Sequence, residues 1–157
     1  MKPFFYNLVL AFLWALLTGE ISLGNLFAGF VLGYVILGLL FGAREKSSYF
    51  LKVGQVIRFV VLFLKEMVVS SARVAYDVIT PTYYMRPGVV AIPLDAKTDA
   101  EIALLANVIT LTPGTLSLDV SEDRRTLYIH AMFVHDPDAL RREIKEGLEK
   151  QLLEVMR

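Results

Sequence analysis

An α+β membrane protein is the fold class that three features of the sequence predict: a nearly uncharged front end, a long amphipathic helix behind it, and a short folded domain at the C-terminal side. Between Lys2 and Glu20 lie 17 residues without a charge, and between Glu20 and Arg44 another 23. Glu20 alone interrupts a stretch too apolar and too long for a soluble domain to bury, and two such segments in succession read as a membrane hairpin. Charged residues gather in the remainder of the chain, although hydrophobic residues make up 55% of the whole. The predicted divisions are 1–48 for the hairpin and a linker, 49–80 for the amphipathic helix, and 81–157 for a cytoplasmic β-α-β-β-α domain.

The first apolar segment, 4–19, holds Phe4, Phe5, Tyr6, Phe12 and Trp14. It is short beside the roughly 20 residues of a usual span. It lacks a small-residue cleavage site of the A-x-A type, and a second apolar segment follows at once, so the expectation is retention as an anchor rather than removal as a signal peptide. The second segment, 21–41, carries glycine at a four-residue spacing twice, Gly29 with Gly33 and Gly38 with Gly42. In an apolar helix such pairs leave a smooth face that another helix approaches closely. Arg44 and Lys46 sit in the charged linker at 43–48, and Lys2 at the N-terminus, whereas the turn between the apolar segments has no Lys or Arg. The positive-inside rule places the N-terminus and the linker in the cytoplasm.

The third segment, 51–79, is apolar yet carries Lys52, Arg58, Lys65, Glu66, Arg73 and Asp77. At 100° per residue these, with Gln55 and Ser70, fall on one arc of roughly 140°, opposite Val53, Val56, Ile57, Val60, Leu64, Met67, Val68, Val74 and Ala75. A charge at the bilayer centre costs about 2.5–3.5 kcal/mol on insertion scales. A helix along the cytoplasmic interface is the favoured reading. A third span with its polar arc against partner subunits is the alternative.

Pro81, Pro87 and Gly88 break the helix. A strand at 89–94 follows. Thr98 and Glu101 then form a capping box that opens a helix running to about Val108. Pro113-Gly114 supplies the central pair of a type II turn, because proline fixes φ and glycine accepts φ > 0. Segments 116–121 and 126–134 flank a charged turn and predict a β-hairpin. Asp136 as N-cap with Pro137 at the first helical position starts the last helix, whose apolar positions are Leu140, Ile144, Leu148, Leu152 and Val155.

Little in the sequence points to chemistry. Without cysteine, disulfides and thiolate sites are excluded. The formal net charge is zero, which disfavours a nucleic-acid partner. No phosphate loop, zinc-protease helix or dinucleotide fingerprint occurs. His130 and His135 are five apart, on opposite faces if the strand continues, and are read as structural. Thr110, Thr112 and Thr115 around Pro113 and Gly114 are read as a structural turn. Glu20 is read as an interfacial loop residue, and Lys65 with Glu66 as part of a solvated or subunit-facing arc. No catalytic, metal or cofactor site is expected.

The run NVITLTPGTLSLDV at 107–120, followed by LYIH at 127–130, resembles the E-type subunit of the multisubunit Mrp-type monovalent cation/proton antiporters, and the resemblance extends over the whole chain. It implies a plasma-membrane complex that exchanges sodium, or another monovalent cation, for protons, with the ion path in larger subunits and this chain as an accessory subunit among them and the lipid bilayer. The same type of subunit occurs in related membrane-bound hydrogenases. A membrane-anchored ligand-binding or enzymatic domain is the alternative of a different class, and a deep polar pocket near His130 would favour it.

Overall fold

The computed structural model describes residues 2–41, 48–81 and 84–157. Gly42 and the linker charges Arg44 and Lys46 fall outside the described residues. The chain forms two compact units, 1–54 and 55–157.

In the first unit α1 (Lys2–Thr18) and α2 (Leu23–Phe41) form a helical hairpin, joined at its far end by the start of α3 (Ser48–Ile79). Thr18 ends α1 by donating its hydroxyl to the carbonyls of Trp14 and Ala15, and Gly19 at φ 74° turns the chain away. These bonds satisfy carbonyls that the last helical turn leaves open. Asn25 closes the turn: its side chain accepts from the Trp14 indole at 2.9 Å and donates to the Glu20 carbonyl and the Thr18 hydroxyl. Phe4, Tyr34, Tyr49 and Phe50 pack edge-to-face or tilted, with ring centroids 5.1–6.1 Å apart, at the other end. Leu23–Leu40 is long and apolar enough to cross a membrane; the apolar stretch of α1, Pro3–Thr18, is shorter.

The second unit places a three-stranded antiparallel sheet, ordered β1-β3-β2, beside helices. Its strands are β1 (Gly88–Pro93), β2 (Thr115–Val120) and β3 (Thr126–Ala131). Alternation puts Val90 and Ile92 of β1, with Leu127 and Ile129 of β3, on the buried face. Leu105, Val108 and Ile109 of α4 (Asp99–Leu111) cover that face together with Ile144, Leu148 and Leu152 of the last helix. The capping box at Thr98 and Glu101 forms as expected, and α4 runs three residues beyond Val108. The expected strand 126–134 is shorter, ending at Ala131. The Met132 amide still donates in register to the Gly114 carbonyl at 2.8 Å, at the point where β2 gives way to the Pro113-Gly114 turn, and Phe133 then bridges Arg86 in parallel.

The last helix is not uniform. Asp136 caps it and Pro137 opens it, but α5 (Pro137–Glu143) passes into a π-helical segment (Ile144–Glu149) before α6 (Lys150–Met156). Leu140, Ile144, Leu148 and Leu152 are spaced by four. In a pure α-helix that spacing drifts by about 40° per step, because 3.6 residues close a turn. The wider π turn takes in more residues and brings the series back onto the core.

Candidate functional site

The Thr-Pro-Gly-Thr turn is built by the hydroxyls around it. Gly114 stands at φ 87°, and the Thr115 amide donates to the Thr112 carbonyl at 3.2 Å across the turn, the pattern of a type II turn. Thr112 donates to the Val108 carbonyl at 3.0 Å, and Thr115 to the carbonyls of Ile109 and Thr112 at 2.6 and 2.9 Å. Thr110 accepts from the Ser117 amide at 3.1 Å. Three threonines and Ser117, which donates to the Ala106 carbonyl, therefore consume the open end of α4 and tie it to β2. A Cβ at Gly114 would meet Val74, Met132 and Phe133 at ordinary distances of 3.5–3.8 Å, so backbone conformation and not space calls for glycine there.

His130 lies half-buried on the sheet face opposite the core, between Val89 and Leu116 of the neighbouring strands. His135 is beyond the end of β3, so the strand alternation expected to relate the two does not reach it. It borders a separate depression with Arg73, Tyr76, Asp77, Tyr84 and Phe133. Among the described residues no three His, Asp or Glu side chains gather as a metal site. Glu20 is an exposed loop residue.

Gly29 and Gly33 of α2 face α1 of the same chain. A Cβ at Gly29 would lie 2.8 Å from the Trp14 Cβ and 3.0 Å from the Ala11 backbone; one at Gly33 would lie 2.3 Å from Asn7 Oδ1. Gly38 is looser, with Phe50 at 3.6 Å. Asn7 is fully buried; its Nδ2 donates to the Tyr49 hydroxyl at 2.9 Å, and its Oδ1 has no hydrogen-bond partner.

From Gln55 onward α3 turns part of its polar arc inward, while Arg58, Lys65 and Arg73 stay exposed. Phe59, Leu62 and Phe63 interleave with Glu66, Ser70 and Asp77 on the side that packs against the domain. Asp77, 3% exposed, accepts the Tyr84 amide at 2.8 Å and fixes the exit from the helix. Glu66, read from the sequence as solvated or subunit-facing, lines a cavity against its own domain, whereas Lys65 beside it stays exposed. The apolar arc, with Val56, Ile57, Val60, Leu64 and Val68, is exposed. The cavity measures about 180 Å³, and the Thr112–Thr115 turn forms part of its wall.

Two carboxylates do structural work that the sequence did not reveal. Glu149, 1% exposed, accepts from the amides of Asp95 and Ala96 at 2.6 and 3.0 Å and from Lys145 at 3.1 Å. Lys145 also reaches the Pro93 carbonyl and Asp95. Glu101, beyond its capping role, pairs with Arg157 at 2.9 Å. The Arg157 hydrogen bond, followed by those from the Lys97 and Thr98 amides, holds the Glu101 carboxyl at a pKa of about 2. Glu149 and Arg157 lie more than 50 residues from their partners, so only the apolar pattern of the last helix hinted at their placement.

Comparison with known proteins agrees over nearly the full length. A family model described as Na+/H+ ion antiporter subunit matches residues 7–155. The E-type subunit of the Na(+)/H(+) antiporter of Alkalihalophilus pseudofirmus is 36% identical over 149 residues, 95% of this chain and 94% of that protein. Its counterpart in Bacillus subtilis is 37% identical over 153 residues, 96% of each. Among solved structures, a chain of the Mrp complex from Dietzia sp. aligns with a TM-score of 0.51 at 30% identity, over 65% of this chain and 96% of that one. A chain of the membrane-bound sulfane sulfur reductase, an archaeal respiratory membrane complex, aligns with a TM-score of 0.58 at 27% identity over 96% of each.

Proposed function

The chain belongs to the E-type family of Na+/H+ antiporter subunits, and on that premise we propose that it holds a multisubunit antiporter together in the plasma membrane without itself carrying the ion. The observation that carries this reading is the chemistry of the hairpin. Neither 3–19 nor 21–41 contains Asp, Glu, Lys, Arg or His. Proton and cation paths through membranes run along ionisable side chains, and among the described residues the buried polar group of this hairpin is an asparagine, Asn7. The buried carboxylates of the second unit are spent on its own backbone and ion pairs: Glu149, with Lys145, on the segment after β1, Glu101 on the start of α4 and on Arg157, and Asp77 on the Tyr84 amide.

In the proposed arrangement α1 and α2 lie in the membrane, with Lys2 and the linker on the cytoplasmic side. From Gln55 onward α3 lies along the cytoplasmic surface. Its exposed apolar arc meets lipid or neighbouring subunits, and its polar arc faces the C-terminal domain in the cytoplasm. The exposed apolar arc and the six ionisable residues of α3 support an interfacial helix over a third span. The likeness to the sulfane sulfur reductase supports use of the same subunit type in a respiratory complex; the higher identity to antiporter subunits favours the antiporter as host.

The test is cation/proton exchange in everted vesicles, scaled to the amount of intact complex. His130→Gln and Glu20→Gln are expected to retain exchange wherever the complex assembles. Loss of exchange in a fully assembled complex from either substitution would place this chain in the ion path and end the accessory reading.

A further inference from the structure

The cavity beneath α3 has the character of a ligand site. It encloses about 180 Å³ behind Leu62, Ile109, Phe133, Leu140, Ile144 and Leu148. A cavity of about 150 Å³ lined only by Leu, Ile and Phe stays dry and binds benzene; this wall adds Ser70, Thr112 and Thr115 to its apolar residues, so it suits a group with an apolar body and a polar end. The border of the cavity is charged with both signs. Arg73 from α3 and Glu143 from α5 line it, and neither forms an ion pair among the described residues; the Arg73 guanidinium rests 5.9 Å from the Phe133 ring centroid. Glu66 lines the same cavity, with Lys65 3.9 Å away on its outer side. The helix that roofs the cavity carries Val60, Val61, Leu64 and Val68 exposed on its other face.

We propose that this cavity binds one acyl chain of a zwitterionic phospholipid, whose phosphate meets Arg73 and whose ammonium meets Glu143 and Glu66. The inference rests on the reading of α3 as a membrane-surface helix, because that position gives a lipid tail a short route around α3 into the domain. An anionic lipid supplies the phosphate and the tail but leaves Glu143 without a cation. A free phosphate leaves the apolar cavity unfilled. A lodged tail would join α3 to the last helix through lipid, so the seating of the domain under α3 would depend on the membrane.

The test uses the assembled complex in vesicles of phosphatidylethanolamine containing a small fraction of the same lipid with a diazirine near the acyl terminus. After irradiation, adducts are mapped on peptides of this chain. The expected result is labelling of the wall at 133–148 in addition to α2 and the outer arc of α3. Gly147 lines the cavity, and a Cβ there meets no atom within 4 Å, so Gly147→Leu fills the space. This variant is expected to reduce wall labelling about tenfold and to leave α2 labelling unchanged. Arg73→Gln, at an exposed position, is expected to lower it about threefold, the scale of a solvent-accessible ion pair. Replacing the lipid with phosphatidylglycerol is expected to lower it as well. An unlabelled wall beside a labelled α3 overturns the cavity proposal and spares the surface-helix reading; a partner side chain in the cavity would give this result. Absence of label from α3 overturns the surface-helix reading itself. Equal wall labelling in the native and Gly147→Leu complexes also overturns the proposal.

Discussion

Replacing Gly33 with alanine tests how α1 and α2 are held together. The new methyl carbon would stand 2.3 Å from Asn7 Oδ1 and 3.1 Å from the Leu10 Cβ. Carbon–oxygen contacts run at about 3.3 Å or more, so the Asn7 oxygen must retreat by roughly 1 Å. Asn7 is fully buried and cannot do so while its Nδ2 keeps the 2.9 Å bond to Tyr49. Overpacking a filled interface costs about 1–3 kcal/mol, and an interhelical hydrogen bond in a membrane contributes about 0.6 kcal/mol. The expected loss is therefore about 2–3 kcal/mol. Asn7→Ala removes the obstructing oxygen, and that oxygen has no hydrogen-bond partner to lose. The double variant is thus expected to recover at least half of the loss, a favourable coupling of about 1 kcal/mol or more. At Gly29 the obstacle includes the Ala11 backbone at 3.0 Å, so no side-chain truncation is expected to rescue Gly29→Ala. The assay is the fraction of this chain retained in the intact complex over a temperature ramp in mild detergent. Native-like retention of Gly33→Ala, or no gain from adding Asn7→Ala, would refute the reasoning.

Three further expectations concern the second unit. Gly114→Val is expected to destabilise it by about 1–3 kcal/mol, because a β-branched residue resists the φ of 87°; an unchanged thermal midpoint of the full chain in detergent would contradict the turn. Glu101 has a folded pKa of about 2 against an ordinary 4.5, so its contribution is complete above pH 4.5 and declines as the pH falls toward 2. Glu101→Gln should flatten that acid-side decline in the midpoint, and a decline as steep as the native one would show that other groups govern it. Because the chain lacks cysteine, His130→Cys and Lys150→Cys can each be probed with an impermeant thiol reagent; both should resist labelling in intact cells and react in everted vesicles, and labelling from outside would reverse the proposed topology.

The features legible in the sequence are those whose causes lie within a few residues. The capping box at Thr98 and Glu101, the cap at Asp136 with Pro137 behind it, and the positive φ at Gly114 all follow from local backbone needs. What the sequence left unread depends on distant partners. Nothing near Phe133 says that it will bridge Arg86 in parallel and leave β3 to end at Ala131. Nothing near Glu149 says that the amides of Asp95 and Ala96 will need its carboxylate. The π segment left one trace, a strict four-residue spacing too long for an α-helical stripe, but that pattern is equally readable as an ordinary helix. The glycine pairs announced a close neighbour without saying which; the structure puts α1 against Gly29 and Gly33.

The wheel of α3 shows why an amphipathic pattern alone could not orient the helix. Its polar arc would suit water, a partner subunit or its own domain, and the charges do not distinguish these. Phe59, Leu62 and Phe63 do, because the first two lie within the polar arc and the third at its edge, where they would be wasted against water. Packed on the core of the second unit, they draw Glu66, Ser70 and Asp77 inward with them. The arc without charges is then left outward, where Val56, Ile57, Val60, Leu64 and Val68 find no cover among the described residues. Isolated apolar residues on a surface need no explanation, whereas a continuous helical row of them in a membrane-complex subunit calls for lipid or protein to complete it. The residues that orient α3 are therefore the large apolar ones, Phe59, Leu62 and Phe63, placed where or beside where a simple amphipathic helix would have carried charge.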